Sequence, residues 1–124
     1  MKTIVVATDF SERSDRAIRR ATLLAREFDA KIHLVHVVDD DQAKAIVLAE
    51  RDASTTLLEE LTHTLEEIDG LKCDFRVILD KPFIGITQAA RDLGADLIVI
   101  GPHRRQQLRD ILIGRPNHLY CSIC

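Results

Sequence analysis

The residues best equipped for chemistry gather in one stretch, GPHRRQQLRDILIGRPN, from Gly101 to Asn117. It contains Gly101 and Gly114, a histidine at His103, and the arginines Arg104, Arg105, Arg109 and Arg115. A glycine lets backbone N–H groups approach an anion without a Cβ in the way, and a guanidinium binds phosphate through paired, charge-assisted hydrogen bonds. The chemistry on offer is therefore contact with an anion, phosphate above all. The structural alternative is a solvated basic bend, in which Gly101 makes a tight turn and Arg105 and Arg109 stay in water.

Other chemically suggestive residues carry less. Cys121-Ser122-Ile123-Cys124 has the C-x-x-C spacing of a redox motif but lacks the strand-to-helix setting that lowers a thiol pKa. His118, Cys121 and Cys124 with Cys73 offer a zinc-binding set only by inclusion of a distant fourth ligand. The same terminus departs from a prenylation box, because Ser122 is not aliphatic and Cys124 is not a usual final residue. His33 and His36 fall in an apolar run and read as hydrogen-bonded structural histidines, while His63 sits among polar residues. No Ser-His-Asp order, H-E-x-x-H or Walker A pattern occurs, so nothing points to catalysis.

The anion-contacting stretch needs elements to hold it, and the preceding sequence supplies them. Ile4 to Ala7 is a short strand closed by Thr8-Asp9-Phe10-Ser11, where Ser11 or Ser14 can cap a helix with the stripe Ala17, Ala21, Leu24 and Phe28. Ile32 to Val38 is apolar on both faces, as a parallel strand covered by helices should be. Asp39-Asp40-Asp41 offers N-cap carboxylates to a long helix whose stripe is Leu57 or Leu58, Leu61, Leu65 and Ile68, ended by Gly70. A third strand lies within Leu71–Leu79. Pro82 then opens a helix with Phe83, Ile86 or Thr87, Ala90 and Leu93 inward, stopped by Gly94. Asp96 to Ile100 is the fourth strand. This βαβαβαβ order predicts a parallel sheet with helices on both faces, built by right-handed crossovers. Ligands of such sheets bind at the carboxyl ends of the strands, which here are Ala7-Thr8-Asp9, Val37-Val38-Asp39 and the loop from Gly101.

At these residues the sequence resembles the universal stress protein family. The likeness rests on Ile4-Val5-Val6-Ala7-Thr8-Asp9-Phe10-Ser11, on His36-Val37-Val38-Asp39, on Pro82 with its helix, and on Asp96 to His103. It covers residues 1 to about 114. The resemblance implies a flavodoxin-like α/β fold of the adenine nucleotide alpha hydrolase type, sheet order 3-2-1-4-5, homodimers and, in one branch, binding of ATP with Mg²⁺. That branch carries G-x2-G-x9-G-[ST] after the fourth strand. Gly101 and Gly114 match its first and third glycines, whereas Arg104 stands at the second and Arg115 at the hydroxyl position. The resemblance assigns nucleotide contacts to Ala7, Thr8, Asp9, Val37, Val38, Gly101, His103, Arg104, Arg105 and Gly114. Asp9 and Val37 match positions that contact adenine and ribose; their structural alternatives are a turn carboxylate before a helix and a core valine. With the middle glycine gone, phosphate contact is expected to fall to His103, Arg104 and Arg105.

The resemblance does not extend to the end. After Gly114 only ten residues remain, too few for both a helix and a strand of ordinary length. The expectation is an incomplete domain over 1–114, an atypical tail over 115–124 from truncation or a frameshift rather than a natural short variant, and an order 3-2-1-4 with the fifth strand absent or irregular. Composition bounds the rest. A chain of 124 residues is one domain, its net charge of −3 gives no reason to bind nucleic acid or an anionic membrane, and its three cysteines form no disulfide framework. No run approaches the ~20 apolar residues of a membrane span, and the N-terminus lacks a signal sequence, so the expected location is the cytoplasm. The expected role is a stress-response regulatory module that binds an adenine nucleotide; a non-binding dimerisation module and a slow ATPase are the alternatives.

Overall fold

The computed structural model describes residues 1–101 together with the backbone of 120–123. Its elements run β1 (Thr3–Ala7), α1 (Glu12–Phe28), β2 (Lys31–Asp39), α2 (Lys44–Glu67), β3 (Cys73–Asp80), α3 (Pro82–Asp92), β4 (Leu97–Ile100) and β5 (Tyr120–Ile123). The strands form one sheet in the order β3-β2-β1-β4-β5, and every pairing is parallel. The order 3-2-1-4 is thus the expected one.

The sheet continues one strand further than expected. Tyr120–Ile123 pairs with Leu97–Ile100 residue for residue, so the edge of β4 is covered and the expectation of an absent fifth strand is corrected. The length argument had asked ten residues for a helix and a strand. A strand alone needs four to match β4, and Pro116, which could not donate to a ladder, lies upstream of it.

Pleating sorts the apolar residues onto two faces, because successive side chains of a strand point opposite ways. Ile4 and Val6, Ile32 and Leu34, and Leu97 and Val99 pack with α1 and α2 through Ala17, Ile18, Ala21, Leu58 and Leu65. Val5, Ala7, Val35, Ile98 and Ile100 pack with α3 through Ile86, Ala89 and Ala90. Each fully buried valine, leucine or isoleucine contributes about 1.5–3 kcal/mol, so these two layers dominate stability.

The helix faces differ in detail from the sequence reading. The buried stripe of α1 is Ser14, Ala17, Ile18, Ala21, Thr22 and Ala25, while Phe28 at the helix end is 47% exposed. On α2, Leu58 is the inward residue; Leu57 and Ile68 are exposed. Ser11 is the N-cap of α1, accepting from the Ser14 N–H at 3.3 Å. The aspartates before α2 do not cap it: Ala43 holds the N-cap position, and Asp39 instead accepts from the Asp41 N–H at 2.9 Å in a local turn. Gly70 and Gly94 end their helices at positive φ, as their positions predicted.

Asp96 ties the start of β4 to the start of β1. Its Oδ2 accepts from the backbone N–H groups of Lys2 at 2.7 Å and Thr3 at 3.1 Å, and these two bonds hold its carboxyl below the usual range.

Candidate functional site

The carboxyl ends of β1, β2 and β4 lie side by side, because Ala7 is in register with both Val35 and Ile100. Between these three strand ends lies a cleft of about 230 Å³. Ala7, Thr8 and Asp9 line it from β1, Val35, His36 and Val37 from β2, Ile100 and Gly101 from β4, Pro82, Phe83 and Ile86 from α3, and Ser14 from α1. One wall is therefore apolar and the other is built from polar groups at the β1–α1 turn.

That turn is closed by its own hydrogen bonds. The Thr8 N–H donates to the Val35 carbonyl at 2.9 Å, and the Phe10 N–H to Thr8 Oγ1 at 3.0 Å. The Asp9 N–H donates to Ser14 Oγ at 2.9 Å; the Ser14 hydroxyl in turn donates to Asp9 Oδ1 at 2.6 Å. The Ser11 N–H also donates to Asp9 Oδ1, at 3.0 Å. Phe10 takes φ 65°, a left-handed conformation seldom adopted by a bulky residue. Its ring lies against His36, centroids 4.7 Å apart. His36 Nδ1 is 2.7 Å from the Thr8 carbonyl. A carbonyl can only accept, so the proton of this bond sits on Nδ1.

Gly101 has a specific reason to be glycine. A Cβ there would lie 2.6 Å from the Arg13 carbonyl oxygen and 3.0 Å from the Ser14 nitrogen, both backbone atoms. The end of β4 thus presses against the first turn of α1. Gly85 has a similar role beneath the cleft, where a Cβ would meet the Val37 side chain at 2.9 Å.

Of the residues singled out from sequence, Ala7, Thr8, Asp9, Val37 and Gly101 come together in the cleft. Val38 does not line it; alternation turns Val38 away from Val37, and it is buried at 1% exposure. His103, Arg104, Arg105 and Gly114 lie outside the described residues, as do Arg109 and Arg115. Sequence reasoning passed over Ser14, Pro82, Phe83 and Ile86 as cleft residues and read His36 as structural only. A signal for Ser14 existed: it precedes Ala17 and Ala21 by three and seven positions, which puts a polar residue on the buried stripe of α1. Among the described residues there is no group of three or more potential metal ligands.

Comparison with known proteins agrees with this arrangement. The model of the universal stress protein family matches residues 1–117. A universal stress protein of Methanocaldococcus jannaschii is 31% identical over 124 residues, spanning 91% of this chain and 71% of that one. The universal stress protein UspA from Lactobacillus plantarum has the same fold, with a TM-score of 0.82 at 18% identity over 98% of this chain and 96% of that one. So has the universal stress protein from Archaeoglobus fulgidus in complex with dAMP, with a TM-score of 0.75 at 23% identity over 98% and 97%. By its family match and by its strand order, this chain belongs to the universal stress protein family.

Proposed function

We propose that this protein is a cytoplasmic stress-response regulatory module that binds an adenine nucleotide in the cleft at the carboxyl ends of β1, β2 and β4, and that it acts as a homodimer. The observation that carries the reading is the juxtaposition of Asp9, Val37 and Gly101 around one cleft, with Asp9 fixed by Ser14 and Ser11. An apolar wall from Val37, Phe83 and Ile86 suits a base, and a carboxylate suits hydroxyl or amino donors. The complex of the Archaeoglobus fulgidus relative with dAMP supports the ligand class.

Which nucleotide binds is set by the residues that follow Gly101 in sequence. Arg104 and Arg115 replace the second glycine and the hydroxyl of the ATP-binding pattern, so phosphate contact would rest on His103, Arg104 and Arg105. Calorimetric titration with ATP, ADP, AMP and cyclic AMP, each with and without Mg²⁺, tests the reading. Saturable binding of at least one of them is expected, and an Arg104→Ala, Arg105→Ala double variant should lose most of the affinity, since a charge-assisted hydrogen bond contributes about 1.5–3 kcal/mol. Absence of binding at millimolar nucleotide would leave the second reading, an interaction module that uses only its surface. The replacement of the motif glycine by Arg104 is the observation that favours that alternative.

A further inference from the structure

We propose that Ser14 is a positioning residue for the ligand-binding carboxylate of Asp9; this rests on the nucleotide-binding reading above. Ser14 is 3% exposed and is the one polar side chain of α1 that lines the cleft. Its hydroxyl lies 3.5 Å from that of Ser11 and makes two shorter bonds to Asp9. It accepts the Asp9 N–H at 2.9 Å and donates to Asp9 Oδ1 at 2.6 Å. One bond holds the main chain of Asp9 and the other holds its carboxylate, so a single hydroxyl fixes both ends of that side chain. The Ser11 N–H adds a second donor to Oδ1 at 3.0 Å, and fixing one oxygen this way sets the plane in which the other lies.

The same network settles what the β1 side of the cleft can offer. Four successive backbone N–H groups, from Thr8 to Ser11, are each engaged: they donate to Val35 O of β2, Ser14 Oγ of α1, Thr8 Oγ1 and Asp9 Oδ1. This turn therefore has no main-chain donors to give to a phosphate, unlike a phosphate-binding loop. It presents acceptors, and Asp9 is the charged one. Ser14 keeps it so, because without the hydroxyl the Asp9 N–H would lose its acceptor and the carboxylate could turn to recapture it.

Thr22 provides a matched control. It is another buried hydroxyl of α1, 7% exposed and donating to the Ile18 carbonyl at 2.8 Å, and it does not line the cleft. The test is a set of AMP titrations on the purified protein and on Ser14→Ala, Ser14→Thr, Ser14→Cys and Thr22→Ala, with thermal melting of each. AMP affinity should fall roughly tenfold in Ser14→Ala, the scale of one lost hydrogen bond to a charged group, and return toward wild type in Ser14→Thr. It should stay within about twofold in Thr22→Ala despite a lowered melting temperature, because that deletion costs packing and one hydrogen bond inside α1 but does not touch Asp9. Should Ser14→Ala fail to fold, Ser14→Cys fills the same space with a poor hydrogen-bonding group and should show the loss instead. Equal AMP affinity in wild type and in the folded Ser14→Ala or Ser14→Cys protein would overturn the proposal while leaving nucleotide binding intact. An equal loss in Thr22→Ala would also overturn it, by making the effect one of helix stability. Failure of the wild type itself to bind AMP, ATP or cyclic AMP would instead overturn the nucleotide reading on which the proposal stands.

Discussion

Phe10 turns the chain out of β1 at φ 65°, and a bulky residue holds that conformation only where its surroundings hold it there. Here Thr8 Oγ1 takes the Phe10 N–H, and the phenyl ring rests against His36, which is itself bonded to the Thr8 carbonyl. Thr8 is 5% exposed, so Thr8→Val keeps its shape and leaves the Phe10 N–H without its acceptor. Denaturant titration should show a loss of about 1–3 kcal/mol, and an unchanged midpoint would mean that water replaces the bond. A second residue-scale expectation concerns Cys73. Burial above all pushes its thiol up to about 11, against a smaller lowering by the Thr62 hydroxyl. Cys73 is therefore a protonated, poorly nucleophilic thiol at neutral pH. Peptide mapping after brief alkylation at pH 7.5 should find Cys73 largely unmodified in the folded protein and modified after denaturation; rapid modification of the folded protein would contradict its burial.

At the scale of elements, the contact between β4 and α1 decides the shape of the cleft. Gly101→Ala would put a methyl group 2.6 Å from the Arg13 carbonyl, and neither backbone can yield cheaply. A destabilisation of about 1–3 kcal/mol is expected by chemical denaturation, with weaker nucleotide binding because Asp9 and Ser14 belong to the same turn. The other end of the β1–β4 pair depends on Asp96. Its carboxylate form accepts the Lys2 and Thr3 N–H groups, so folding favours the ionised state. Stability from this clamp is present above the unfolded-state pKa and is lost as pH falls through the lower folded-state value. In Asp96→Asn the amide oxygen can still accept, while the titration is gone. Melting temperature measured from pH 6 down to pH 2 should therefore fall less steeply in the variant, and parallel curves would contradict the assignment.

Much of this element order was legible in sequence because apolar runs, helix caps and glycine stops agree with one another. Ser11, Pro82, Gly70 and Gly94 all act where their chemistry puts them. What escaped was whatever depends on the third dimension. Periodicity could not separate Leu57 from Leu58, since neighbours on a helix differ by only 100° and the packing partner decides. The close approach that requires Gly101, and the clamp between Asp9 and Ser14, exist only once β4 meets α1. The basic stretch that follows β4 in sequence lies outside the described residues, apart from Gly101.

Across the whole molecule, a five-stranded parallel sheet with α1 and α2 on one face and α3 on the other brings three strand ends to one crevice. Among the described residues no helix is long and apolar enough to cross a membrane. Leu58 anchors the larger layer with no exposed surface, and Leu58→Ala should cost about 2–5 kcal/mol by denaturant unfolding without altering ligand preference. The role proposed for the molecule stands or falls at the crevice. The most direct measurement is a calorimetric titration of AMP into the wild-type protein and into Asp9→Ala, under identical salt and pH. The account predicts a saturable, single-site isotherm for the wild type and a loss of at least tenfold in affinity for Asp9→Ala. An isotherm indistinguishable between the two proteins, or no saturable heat from the wild type with millimolar AMP, ATP or cyclic AMP, would contradict it.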